Sequence, residues 1–349
     1  MKRLTIVAAL ALLATAAAGC APDTAAPGGE NGEVKGPITV LCSFDDEVCQ
    51  AKVQGFVDDT GIEATFVRMS TGEGVARMEA TKTAPEFDAW LGGPAEGHIQ
   101  AADRGLTEAY KSPEAANVPD NMKDPDGRWT ALQFGVLAFC SNPDRLAKIG
   151  ATAPTSFDDL LDEKFKQEIA VSHPSTSGTG TNMLWTLMLV HDRDEDATFD
   201  YLRQLHNNIL QYSKSGAAPA QMASRGEIAT GIVFSDNCTK LIKTGVKLEL
   251  TFPKEGTGYS MGSISLVAGA KNPAAAKAFI DWQISVKGQN IGPEVNMFSN
   301  PSNVNANVDP DMVDTSKVTL LEFDPMEAAE AMGTLIPRFD SEIAPAPKE

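Results

Sequence analysis

Five times along this chain of 349 residues, a short apolar run gives way to a turn of Ser, Thr or Gly and then to helical spacing. The turns fall at Ser70, Gly93, Ser175, Ser215 and Ser235. Strands that alternate with helices in this way can bury their apolar faces only as a sheet flanked by helices. The expected fold class is therefore α/β. The first N–H groups of each helix have no partner inside it, and they sit at the positive end of the helix dipole. One such turn is ordinary capping. Five of them at the carboxyl ends of strands predict loops that face a common crevice and receive a ligand.

The remaining elements follow the same logic. Pro37–Ser43, Gly61–Arg68, Phe87–Leu91, Phe134–Cys140, Glu168–Ser172, Ile228–Phe234, Lys247–Phe252 and Ser263–Ala268 read as strands. Asp46–Asp58, Ser70–Lys82, Phe199–Asn207, Ala218–Arg225 and Pro273–Trp282 read as helices, as does the segment running to Val190. Ser156–Leu161 and Met326–Met332 are also predicted helical, and Ser235-Asp236-Asn237 is expected to cap a helix ending at Thr244.

The first twenty residues stand apart. Lys2 and Arg3 precede an apolar core, Leu4 to Ala14, and then small residues to Gly19. This is the pattern of an export signal, too short to span a membrane. Ala17-Ala18-Gly19-Cys20 looks like a lipobox, which would make Cys20 the lipidated residue of a membrane-anchored lipoprotein facing outside the cytoplasm. Ordinary signal cleavage, leaving Cys20 a plain thiol, is the alternative. Ala21–Gly36, rich in Pro, Gly and Ala, reads as a flexible tether. Each buried methylene of an acyl chain contributes roughly 0.8 kcal/mol, so two chains on Cys20 would hold the protein at a membrane surface.

Loss of Lys2 and Arg3 with the leader takes the net charge from −18 to −20. With no basic cluster, nucleic acid is not an expected partner. Setting Cys20 aside leaves Cys42, Cys49, Cys140 and Cys238, an even number in an exported chain and so disulfide candidates. Four buried free thiols are the other possibility. Without a CxxC and with four histidines, no metal site is expected.

Motifs that imitate catalysis fail on context. Gly258-Tyr259-Ser260-Met261-Gly262 matches G-x-S-x-G, but a strand-like run follows where a helix is needed, and all four histidines lie upstream. It reads instead as a Gly-rich crossing turn. Asp192, Asp194 and Asp196 begin like a calcium loop, yet Ala197 and Arg203 occupy the positions of its Gly and Glu, so a solvated loop is expected. The HPSTSGTGT stretch resembles a phosphate loop without the Gly-Lys that such loops require. No catalytic residue, no cofactor and no enzyme activity are expected.

Jointly, the stretches RMSTGEGVARMEA, FDAWLGGPAEGHI, DPDGRWTAL, PTSFDDLLDEKFKQEIAVSHPSTSGTG, LHNNILQYSKSGAAPAQMASRGE, GIVFSDN, FPKEGTGYSMGSISLVAGAKNPAAAKAFIDW and SNPSNVNANV carry a resemblance. They resemble the extracellular solute-binding proteins of ABC importers (periplasmic binding proteins of type 2), in the ferric-iron and phosphosugar group. The resemblance implies a two-lobed receptor with a cleft that closes on a small-molecule solute. It implies lobe 1 from 37–132 and 262–349, lobe 2 from 133–261, a monomer, and delivery to a permease and its ATPase. Ferric members use adjacent tyrosines, and here Tyr110, Tyr201, Tyr212 and Tyr259 are scattered. Phosphosugar binders look like Phe-Ser-His-Asp where this chain has Phe234-Ser235-Asp236-Asn237.

The expected solute is therefore a small polar anion bearing phosphate, phosphonate or carboxylate, with iron or an iron chelate as the alternative. The expected ligand-binding residues are Ser43, Ser70, Thr71, Gly72, Gly93, Ser175, Thr176, Ser177, Gly178, Thr179, Ser215, Gly216, Asp236, Asn237 and Tyr259. Lys214 could add charge. Asp236 and Asn237 would read hydroxyls or an amine at the far end of the ligand.

Overall fold

The computed structural model describes residues 36–322 and 324–345. The expected leader, Cys20 and all of the expected tether but Gly36 lie outside them. The chain runs β1 (Ile38–Cys42), α1 (Asp46–Thr60), β2 (Ala64–Arg68), α2 (Thr71–Ala80), β3 (Ala89–Pro94), α3 (Ala95–Asp103), β4 (Thr107–Glu108) and β5 (Thr130–Ser141). It continues through α4 (Pro143–Ile149), β6 (Ile169–Ser172), α5 (Gly178–Val190), α6 (Glu195–His206), β7 (Ile209–Ser213), α7 (Ala218–Ser224), β8 (Thr230–Phe234) and α8 (Ser235–Lys243). The last elements are β9 (Glu249–Thr251), β10 (Tyr259–Val267), α9 (Pro273–Ile284), α10 (Val286–Asn290), β11 (Asn300–Pro301) and α11 (Pro325–Glu342). The α/β class expected from the alternation is what forms.

The strands make one mixed sheet in the order β2-β1-β3-β10-β5-β8-β6-β7, with β4 on β10 and with β9 and β11 on β5. Strand β5 joins its two halves. Its first residues pair with β10, and Leu137–Ser141 pair with β8. Strands β1, β2 and β3 are parallel to one another, as are β6, β7 and β8. Three successive antiparallel pairings, β3 with β10, β10 with β5 and β5 with β8, set these two groups running in opposite directions. The carboxyl end of β3 reaches the level of Gln133 on β5, through Pro94↔Gly262↔Gln133, and that of β8 reaches Leu137. Both groups therefore end at the middle of β5, from opposite sides, and their following turns meet there.

Each half carries its own apolar packing. Val40, Phe56, Leu91, Phe279 and Ile280 pack on one face of the first half, and Leu41, Trp90 and Leu106 on the other. The edge-to-face pair Phe56–Phe279, 5.0 Å between centroids, locks α1 to α9 and contributes about 0.5–1.5 kcal/mol beyond burial. In the second half, α5 is buried over most of its surface, which its apolar run TNMLWTLMLV requires. The four candidate cysteines form two disulfides. Cys42–Cys49 closes the loop that carries Ser43, Phe44 and Asp45, and Cys140–Cys238 ties β5 to α8.

Several expectations are corrected. Tyr259–Gly262 is not a crossing turn but the first half of β10, paired with β5, so Ser260 lies in a flat strand and not on an elbow. The acidic run at Asp192–Asp196 is an exposed turn, as expected, that leads into α6, with Asp194 as its N-cap accepting a hydrogen bond from the Ala197 N–H at 3.0 Å. Ser235 is inside α8, with Phe234 at the cap. The segment at Ser156–Leu161 forms a 3-10 turn over Asp158–Leu161. Strand β7 and helix α4 were not expected: ILQYS is too short to show an alternation, and Pro143 is the N1 proline of a helix of seven residues.

Candidate functional site

One cavity of about 630 Å³ opens where the two groups of strands end. Its walls come from the turns after β1, β2, β3, β6, β7 and β8 and from the middles of β5 and β10. Of the fifteen residues expected to bind ligand, fourteen line it: Ser43; Ser70, Thr71 and Gly72; Gly93; Ser175 to Thr179; Ser215 and Gly216; Asp236 and Asn237. Tyr259 does not line it. Its ring is buried against Phe134, 6.1 Å between centroids, and the cavity wall is its neighbour Ser260. The amino ends of α2, α3, α5, α7 and α8 meet here as expected, and α1, entered through Asp45, is a sixth. Their orphan N–H groups make this a region of positive potential in an acidic protein.

At one end of the cavity the turns touch. Gly93 lies against Thr71 and Ser43. Gly178 faces Pro94, and Gly216 faces Thr179 and Ser177 so closely that a Cβ at either glycine would collide with its neighbour. Glycine is needed at both because these neighbouring side chains occupy the space of a Cβ. The hydroxyls gathered here fall into two classes. Ser70 donates to Glu73 Oε2 at 2.7 Å, Ser175 donates to Asp340 Oδ1 at 2.7 Å, and Thr176 donates to the His173 carbonyl at 3.3 Å. The side chains of Thr71, Thr179 and Ser215 make no hydrogen bond among the described residues. Ser177 accepts from the Thr179 N–H, which leaves its own hydrogen available.

Ser43 is set by its neighbours. Trp90 Nε1 donates to Ser43 Oγ at 2.9 Å, so the Ser43 hydrogen is left to point elsewhere. Trp90 is fully buried and stacks on His98 at 3.8 Å. His98 is held between the Gly92 carbonyl and Ser265, and burial lowers its pKa to about 3, which keeps the ring neutral.

His173, just before the second turn, is also structural. It accepts from the Ser175 N–H on Nδ1, which places its proton on Nε2, bonded to the Ala344 carbonyl at 2.9 Å. The C-terminal helix α11 is thereby fastened beneath the turn. Arg203–Glu342 and Arg338–Glu195 pairs tie the same helix to α6, and Arg193–Glu327 ties it to the turn before α6.

The other end of the cavity is acidic. Asp236 sits behind Gly135 with Oδ1 buried and unpartnered, while its carboxylate is hydrogen-bonded to Ser299. Burial pushes its pKa up, and the nearby Asp45 adds to the rise. Phe44, Phe234 and Met297 add apolar wall. Two cations line the cavity among the described residues, Arg68 and Lys214. Both act on Glu73, whose pKa is lowered mainly by the two hydrogen bonds from Ser70.

Sequence reasoning did not select Asp45, Arg68, Glu73, Gln133 or Ser299. Three of these carried a signal: Asp45 is an N-cap residue before a helix, Arg68 is the last residue of a strand, and Ser70-x-x-Glu73 is a capping-box pattern. Gln133 and Ser299 gave none, since only pairing with distant segments brings them to the wall.

Ser260 has no histidine beside it in the lining. None of the four tyrosines lines the cavity: Tyr110 donates to Asp281, Tyr201 to the Phe157 carbonyl, and Tyr212 and Tyr259 are packed among aromatic rings. Among the described residues, no group of three or more His, Cys, Asp or Glu is placed to hold a metal ion, and no helix is long and apolar enough to cross a membrane.

Residues 84–328 match the family described as bacterial extracellular solute-binding protein. A solved structure of the periplasmic binding protein AfuA from Actinobacillus pleuropneumoniae, with exogenous fructose-6-phosphate bound, is 33% identical at a TM-score of 0.85, over 88% of this chain and 98% of that one. A Salmonella typhi periplasmic protein, named as a candidate for binding 2-aminoethylphosphonate, is 27% identical over 258 residues, 72% of this chain and 73% of its own length. A ferric binding protein from Campylobacter jejuni shares the fold, with a TM-score of 0.74 at 17% identity over 87% and 98% of the two chains.

Proposed function

The chain belongs to the bacterial extracellular solute-binding proteins, and from that premise we propose that it captures a small organic solute through a phosphorus oxyanion and delivers it to an ABC importer. The observation that carries this reading is the meeting of the N-termini of α2, α3, α5 and α7 with the uncommitted hydroxyls of Thr71, Ser177, Thr179 and Ser215. Oxyanions suit such a site because N–H and O–H donors converge on them without a buried counter-charge. The two relatives named for a ligand, fructose-6-phosphate in one and 2-aminoethylphosphonate in the other, have in common an oxyanion on phosphorus.

The lobes are 37–132 with the return from 262, and 133–261, hinged where β5 and β10 cross between the halves of the sheet, with α11 fastened to the second lobe through α6, Ser175 and His173. Ligand held by Thr71 on one side and Thr179 on the other stabilises the closed form by its differential affinity. Closure presents the complex to the permease. Cys20 is the lipidated residue that keeps the receptor at the outer face of a membrane. Acyl labelling lost in Cys20→Ala tests that step.

Calorimetry against hexose phosphates, alkyl phosphonates and simple carboxylates tests the anion reading. Submicromolar binding of a phosphate or phosphonate is the expected result. Silence with every oxyanion, together with a visible charge-transfer band on adding ferric iron, would overturn it in favour of iron.

A further inference from the structure

Resting on the oxyanion reading, we infer that the solute is a zwitterion, an organic phosphonate or phosphate that also carries an ammonium group, and that Asp236 with Asp45 is the receptor for that ammonium. The two ends of the cavity are built from opposite chemistry. Thr71, Ser177 and Thr179 offer donors at one end. At the other, Asp236 Oδ1 is a buried acceptor with no partner, and Asp45 is near enough to disfavour its charge further.

A buried carboxylate oxygen left without a donor is costly, and a bound ligand is the available source of one. The charged neighbour that acts on Asp236 is Asp45, while both cations of the wall act on Glu73. The Ser299 hydroxyl and the backbone N–H groups of Asp236 and Asn237 hold the carboxylate in part, and Oδ1 is left without a donor. A sugar hydroxyl could donate one hydrogen bond to Oδ1 but would leave two neighbouring carboxylates repelling each other. An ammonium supplies the hydrogen bond and neutralises both. A second anionic group at this end would be repelled. The apolar wall of Phe44, Phe234 and Met297 suits a short alkyl stem between the two charges.

The test is calorimetry with three probes, 2-aminoethylphosphonate, ethylphosphonate and fructose 6-phosphate, on the wild type and on Asp236→Asn. The expected result is that wild type binds the aminoalkyl probe at least about 100-fold more tightly than ethylphosphonate, the scale of a desolvated charge-assisted pair. In Asp236→Asn that ratio should fall below about tenfold, with circular dichroism confirming the fold.

If ethylphosphonate or fructose 6-phosphate binds wild type as tightly as the aminoalkyl probe, the ammonium inference is wrong and the oxyanion reading stands. If the preference persists in Asp236→Asn, the assignment of Asp236 is wrong. If none of the three binds, the oxyanion reading itself has failed and takes this inference with it. The wild-type comparison decides the main point whether or not the variant folds.

Discussion

Two turns of nearly the same composition, Ser70-Thr71-Gly72 and Ser175–Thr179, face each other across the cavity and use their hydroxyls in different ways. In the first, Ser70 is bound to Glu73 of its own helix and Thr71 is left over. In the second, Ser175 is bound to Asp340, 165 residues away, Thr176 turns back to the His173 carbonyl, and Ser177 and Thr179 remain. The first turn is stabilised from within, and the second by a helix that arrives last in the chain. In each, one part of the turn holds the backbone in place and another part faces the solute. A Ser/Thr-rich turn is thus neither a cap nor a binding loop as a whole, and the division runs residue by residue.

The largest effect should separate these two classes. Thr71→Ala combined with Thr179→Ala removes one uncommitted donor from each side. Hydrogen bonds to a charged group contribute about 1.5–3 kcal/mol each, so affinity for the solute should fall roughly 100-fold or more. Neither side chain has an intramolecular partner, so the melting temperature without ligand should move little. A drop in stability that matches the drop in affinity would show both residues to be caps and would break the division.

Next is the converse pair. Ser175→Ala frees Asp340 and loosens α11 from the second turn, and Asp340→Asn should mimic it. Each should cost about 0.5–1.5 kcal/mol by chemical denaturation, the net worth of one such hydrogen bond, with affinity within a few-fold of wild type. If Ser175→Ala instead reduces affinity as much as Thr179→Ala does, Ser175 exchanges Asp340 for ligand on binding.

A smaller effect is expected behind the first turn. Trp90→Phe keeps the stacking on His98 but deletes the donor that orients Ser43. Affinity should drop about three- to tenfold, in keeping with one hydrogen bond lost by a neighbour of the ligand. No change in affinity, measured by calorimetry, would remove Ser43 from the binding set.

Much of this arrangement could be read before the fold was known. Strand–turn–helix alternation puts the turns after parallel strands at one end of their group, and fourteen of fifteen chosen residues reach the cavity because the two groups end against each other at the middle of β5. Tyr259 misled because GYSMG has the glycines of a turn, whereas Gly258 and Gly262 serve close packing in and beside β10, against Thr186 and Phe44. What could not be read was commitment. Whether the Ser175 hydroxyl is spent depends on Asp340, and whether Asp236 is compensated depends on Ser299 and Asp45, all brought in by tertiary packing. A local partner is a different matter. Glu73 stands three residues after Ser70, and S-x-x-E is visible in the chain itself.

That local partner gives the smallest effect and the sharpest sign. The Ser70 N–H and hydroxyl both donate to Glu73, which lowers its carboxyl below the ordinary 4.5. A carboxylate whose folded pKa is depressed contributes stability that is fully present above its unfolded pKa and is lost as pH falls through the folded value. Glu73 is exposed, so solvent holds the contribution under about 1 kcal/mol. Glu73→Gln should therefore be slightly less stable than wild type near neutral pH, with the gap closing as pH falls below 4.5. In a Ser70→Ala background the pH-dependent gap should shrink but not vanish, because the hydroxyl bond is gone while the backbone N–H at position 70 still donates. Urea denaturation of the four proteins between about pH 3 and pH 7 measures this as a double-mutant cycle. A gap of undiminished size in the Ser70→Ala background would assign the depressed pKa to the backbone N–H at position 70 with Arg68 and Lys214. The Ser70 hydroxyl would then have no part in holding the first turn.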